Sequence, residues 1–197
     1  MINENFVFLG FAIALIGLFS YLKDTIQGKV QPNRVTWFLW ALAPLIAFTA
    51  QIQEGVGLEA VLTFSVGFNP LLVFLASFLN KKAQWKLTKF DFICGGLSVL
   101  GIILWFITKD PIMAIVFAIL ADTLAALPTV VKSWKEPETE NYWPFLTAII
   151  NSGIALLIVK DWNFATAGFT IYIFSLCVLL TVLIKFKLGP RFSKTKN

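Results

Sequence analysis

The chain contains no histidine, two cysteines and few charges: of its 197 residues, 14% are Asp, Glu, Lys or Arg. Without histidine there is no histidine-ligated haem or zinc, no imidazole proton relay, and no serine or cysteine triad resting on an imidazole base. Cys94 and Cys177 both fall inside apolar stretches and read as reduced packing residues, not as a disulfide framework. No Gly-rich phosphate loop is present; the pair Gly95-Gly96 lies within an apolar run, where small residues permit close helix packing. No nucleophile and base come together in the pattern, so an enzyme is not expected. No cofactor or metal is expected either. The amino terminus has neither a basic region nor a small-residue cleavage site, which predicts that the first apolar run is retained.

What is there is hydrophobic. Residues of that kind make up 58% of the chain, with a mean hydropathy of +0.80. A water-soluble domain of this size would lack the polar surface to cover itself, so the composition predicts an integral membrane protein. A hydrocarbon core of roughly 30 Å takes about 20 helical residues to cross, and a helix satisfies its own backbone in lipid. The short alternating runs of a membrane barrel are absent from the sequence. Seven spans are predicted, over 5–22, 36–50, 58–79, 90–107, 111–132, 142–159 and 163–185. Fourteen of the sixteen basic residues fall in the turns after spans one, three and five or in the tail; Lys109 and Lys160 are the exceptions. The excess of basic residues marks cytoplasmic loops, so the amino terminus is expected outside a plasma or inner membrane and the carboxyl terminus in the cytoplasm. The net charge of +5 then reports topology and contact with anionic lipid headgroups, not nucleic-acid binding.

The span-and-turn layout repeats. A shift of 106 positions lays Lys29 on Lys135, Trp37 on Trp143, and Phe11, Ala12, Ile13 and Leu18 on Phe117, Ala118, Ile119 and Leu124. Two three-span units are therefore expected, over 1–82 and 110–197, with 83–109 as a linker helix between them. The odd number of spans in a unit would invert the second, and the linker restores its direction. The expected fold is all-α, with seven transmembrane helices as two parallel three-helix bundles (3+1+3).

With Leu127-Pro128-Thr129-Val130-Val131-Lys132-Ser133 in the second unit and Lys29-Val30-Gln31-Pro32-Asn33-Arg34-Val35-Thr36-Trp37 in the first, the chain resembles the SWEET sugar transporters and the wider PQ-loop superfamily. The resemblance implies proline hinges in the first two helices of each unit, here Pro128, Pro144 and Pro44. It also implies a sugar site lined by an asparagine on the third helix of each unit; Asn69 stands at the first of these places and Ser175 at the second. Such proteins also associate, so a homo-oligomer is open.

The polar residues within the spans are the candidates for solute binding. Asp122 lies midway along the fifth span, among alanines and leucines. An ionised carboxylate there costs roughly 2.5–3.5 kcal/mol unless it is protonated, hydrated or paired. It reads as a proton-binding or solute-binding group, or as a protonated carboxyl bonded to a neighbouring helix. The amide of Asn69 offers donors and acceptors to a hydroxyl-rich ligand, or satisfies a carbonyl freed by Pro70. Asn151 and Tyr172 complete the polar set. Trp37 and Trp143 read as interfacial belt residues, while Trp40, a turn deeper, is placed to stack on a solute ring. The expected function is a carrier for a small polar solute, a sugar by resemblance, working by alternating access. Two alternatives stand beside it: a vitamin or nucleoside permease of the nicotinamide-riboside type, and a non-transporting receptor of related fold.

Overall fold

Polar side chains set where the helices begin. The Asn33 carbonyl accepts from the backbone N–H groups of Val35 and Thr36 and starts α2 (Arg34–Gln53). The Asn141 carbonyl accepts from Trp143 N–H, 2.8 Å away, and starts α6 (Trp143–Ile158). Thr88 and Asp91 cap α4 (Lys89–Ile107) reciprocally, as do Asn163 and Thr166 for α7 (Phe164–Phe186), and Asp110 caps α5 (Pro111–Lys135). Each cap satisfies N–H groups that the first turn leaves unpaired. With α1 (Phe6–Ile26), α3 (Leu58–Ala76) and the short α8 (Leu188–Lys194), these are the α-helices of a computed structural model that describes residues 6–53, 58–108, 110–159 and 162–194. Among the described residues there is no strand.

Among the described residues, four stretches are long and apolar enough to cross a membrane: Phe8–Ile26, Lys89–Ile107, Ile115–Lys135 and Thr166–Phe186. Arg34–Ile46, Val66–Ala76 and Trp143–Ile158 are apolar but shorter. Large apolar side chains such as Ile16, Phe19, Phe92, Ile93, Phe106 and Leu157 stand exposed around the outside. A surface of that kind suits lipid and not water.

The helices pack in related pairs. Within the first half α2 lies along α3, and α1 touches α3; within the second α6 lies along α7, and α5 touches α7. Across the halves α1 packs on α6 and α2 on α5, while α4 packs on α5 and, less extensively, on α2. The α1–α6 contact is close because Gly17 meets the start of α6: a Cβ there would stand 2.8 Å from Pro144 Cα. Van der Waals packing of this kind is the main attraction between helices in lipid.

The end carrying most of the basic residues is held by polar contacts. The Arg34 guanidinium donates to the hydroxyl and carbonyl of Ser77, just past α3, and lies 4.0 Å from the centre of the Phe78 ring. At the other half's corresponding corner the Lys185 ammonium lies 5.4 Å from the Tyr142 ring. Gln31 N–H donates to Thr139 O across the halves, 2.8 Å away. Lys132 is fully buried beneath that strap; its ammonium donates to Glu140 at 2.7 Å and also to the carbonyls of Gln31 and Thr139. The Tyr21 hydroxyl donates to the other Glu140 oxygen at 2.6 Å, and Trp85 lies over the ammonium. Trp37, expected in an interfacial belt, is instead 5% exposed and packs against Tyr21 and Phe145. Trp143 is 43% exposed.

Candidate functional site

A cavity of about 410 Å³ lies at the centre of the helices. Its described lining comes from α1, α2, α3, α5, α6 and α7, and none of it from α4. The floor at the lysine-rich end is a packed cluster in which Leu18, Tyr21, Trp37, Val73, Phe145 and Leu180 are all buried. Beneath it sits the Lys132–Glu140 pair. Toward the other end the walls carry Val66 from α3, Ala155 from α6 and Phe169 from α7.

Six of the nine residues singled out in the sequence line this cavity: Trp40, Pro44, Asn69, Asp122, Pro144 and Asn151. Asp122 accepts a hydrogen bond from the Tyr172 hydroxyl, 2.8 Å away, and Trp40 makes a looser side-chain contact with the same carboxylate. Tyr172 thus acts from behind the wall. The amides of Asn69 and Asn151 have no hydrogen-bond partner among the described residues, so both keep donors and acceptors for a ligand. Thr147, Ser152 and Thr170 also line the space; the first two return their hydroxyls to backbone carbonyls of their own helix.

Ser175 is not on this wall. It is exposed, and its hydroxyl donates to Ile171 O at 2.8 Å. The cause is register. The fully buried residues at equivalent depth on α3 and α7 are Val73 and Leu180, 107 positions apart (73 and 180) and not 106. On a helix one residue of offset rotates a side chain by about 100°, and Ser175 turns outward. Leu176 and Cys177 face the cavity there instead.

The three prolines are placed differently. Pro44 lies inside α2 and removes a hydrogen bond to the Trp40 carbonyl beside Asp122. Pro128 lies inside α5, buried and away from the cavity. Pro144 stands in the first turn of α6, where its missing N–H interrupts nothing.

A second space of about 260 Å³ lies between α2, α4 and α5, with Phe169 of α7 at its edge, and is almost wholly apolar. It shares Trp40, Pro44, Asp122 and Phe169 with the central cavity. Asp122 therefore stands on a partition between two spaces.

The Lys132–Glu140–Tyr21 network was not found by reading the sequence, because Lys132 and Glu140 lie around a turn that reads as solvated. The signal that points there is the pair Asn33 and Asn141, each just ahead of a helix and 108 positions apart (33 and 141). The same offset relates Gln31 to Thr139, the residues that bond across the halves.

Comparison of the chain with models of protein families, with curated proteins and with solved structures gave no match.

Proposed function

We propose that this chain is a membrane carrier for a small polar solute, working by alternating access of two three-helix bundles, 3+1+3, with α4 as the linker. The observation that carries the proposal is the central cavity: six helices line it, polar groups without partners face it, and at the lysine-rich end a packed side-chain cluster lies over the Lys132–Glu140 pair and the Gln31–Thr139 strap. The pairing of helices supports the two-bundle reading, since α1, α2 and α3 pack among themselves as α5, α6 and α7 do. So do the matched caps at Asn33 and Asn141 and the cation–ring contacts at the corners. The lysine-rich end is the cytoplasmic one, by the distribution of basic residues, and the amino terminus lies outside.

A sugar is the solute that the resemblance implies, and the free amides of Asn69 and Asn151 suit hydroxyl groups. The rings of Tyr21, Trp37, Trp40 and Phe145, each with its centre 4.8–6.4 Å from that of at least one other, favour a second reading in which the solute has a planar ring, as a vitamin or nucleoside does.

Alternating access makes the buried ion pair a gate. Cys177 lines the cavity above it, and Cys94 lies elsewhere, buried on α4. In a Cys94→Ser background in liposomes, a membrane-impermeant thiol reagent applied from the lysine-rich side is expected to modify Cys177 slowly. Glu140→Gln, which leaves Lys132 without its charged partner, is expected to speed the reaction about ten-fold or more. Equal rates in the two proteins would remove the gate and with it alternating access.

A further inference from the structure

We infer that the solute of the central cavity is an organic cation whose charge is carried on or beside a planar ring. The inference rests on the carrier reading of that cavity and names the solute more narrowly. Asp122 is the one carboxylate on the described lining, and no lysine or arginine lines it. Lys132, the buried cation nearest the floor, is already held by Glu140 and by the carbonyls of Gln31 and Thr139. Asp122 therefore has a hydrogen-bond donor in Tyr172 and a looser contact with Trp40, but among the described residues no counter-cation from the protein. A carboxylate in an apolar setting calls for one, and a cationic ligand supplies it.

The rings point the same way. Trp40 touches Asp122 and stands edge-on to Trp37, 5.3 Å between ring centres, and Trp37 continues to Tyr21 and Phe145. All four border the cavity, Trp40 next to the carboxylate and the other three in the floor. Aromatic faces attract a cation through their quadrupole, and most strongly where water is excluded. One carboxylate, several rings and no competing positive group form a site for a pyridinium, a quaternary arylammonium or a protonated aromatic amine. A neutral sugar would leave the carboxylate without a counter-charge. The second apolar space behind Asp122 gives a ring substituent somewhere to go.

Thermal stability of the purified full chain in detergent tests this with three probes at equal concentration: phenyltrimethylammonium, neutral benzyl alcohol and D-glucose. A ligand that binds only the folded chain raises its Tm. Phenyltrimethylammonium is expected to raise Tm more than either neutral probe, and Asp122→Asn to abolish that rise. Trp40→Leu keeps the carboxylate and is expected to weaken the apparent Kd for the cation roughly two- to thirty-fold; it carries the test if Asp122→Asn does not fold. No rise with the cation in the unaltered chain overturns the inference, as does a rise that survives in both variants. Uptake into proteoliposomes separates it from the reading beneath it. Cation binding without uptake removes the carrier and keeps the site, whereas glucose uptake without cation binding keeps the carrier and removes the cation.

Discussion

Lys132 donates to Glu140 and to two backbone carbonyls while fully buried, so removing its ammonium takes the counter-charge from Glu140 and a donor from both carbonyls. Removing one member of a buried ion pair typically costs about 3–5 kcal/mol, because the other charge remains. Lys132→Met is expected to lower stability on that scale, and Lys132→Met/Glu140→Gln to recover part of the loss. Thermal unfolding of the three proteins in one detergent measures both, and a double variant no better than the single would show that the pair is not the source. Asp122 stands out in the sequence because a carboxylate among alanines and leucines is costly in lipid unless protonated, hydrated or paired, and the structure puts it on the cavity wall. Lys132 and Glu140 do not, because their burial depends on a turn folding back beneath the strap from Gln31 to Thr139. Ser175 was misplaced by one residue of register, which the sequence offers no way to count.

Among the elements, the helix cores were legible and the ends were not. Apolar runs predict α4 and α7 closely, but α1 continues to Ile26 and α5 to Lys135, past the last apolar residue expected. Each last turn buries a polar side: Thr25 returns its hydroxyl to Tyr21 O, and Ser133 is covered beside Lys132, while Lys23 and Lys135 stay exposed. Hydropathy places such turns in water, whereas here they pack against the facing half. The close approach of α1 to α6 gives a paired prediction. A methyl at Gly17 would press on Thr147 and on the Pro144 backbone, while one at Gly96 meets nothing within 4 Å. Gly17→Ala is expected to destabilise by about 1–3 kcal/mol through overpacking. Gly96→Ala is expected to be neutral or to stabilise by up to about 1 kcal/mol, from lost unfolded-chain entropy. Equal melting temperatures for the two variants would show that α1 and α6 do not meet as closely as described.

Across the whole molecule, the proposed bundles are related without being alike. At the offset of 108 positions that joins Asn33 to Asn141, Lys132 corresponds to Asp24 and Glu140 to Pro32. Arg34 and Tyr142 likewise correspond, the first giving the cation to its corner and the second the ring. Fragments 1–109 and 110–197, expressed together with different tags, are therefore expected to co-purify as a one-to-one pair. A first fragment that assembles with itself as readily as with the second would count against that complementarity.

The buried ammonium also bears on how such a chain can change over generations. Its carboxylate and one of its carbonyls come from its own half, but the other carbonyl and the tyrosine that shares the carboxylate come from the opposite half. Loss of the first half would remove its share of the cavity lining and, at the same stroke, leave Lys132 and Glu140 buried without the Gln31 carbonyl and the Tyr21 hydroxyl. The second half therefore depends on the first for more than cavity lining, and the two are bound to be inherited together.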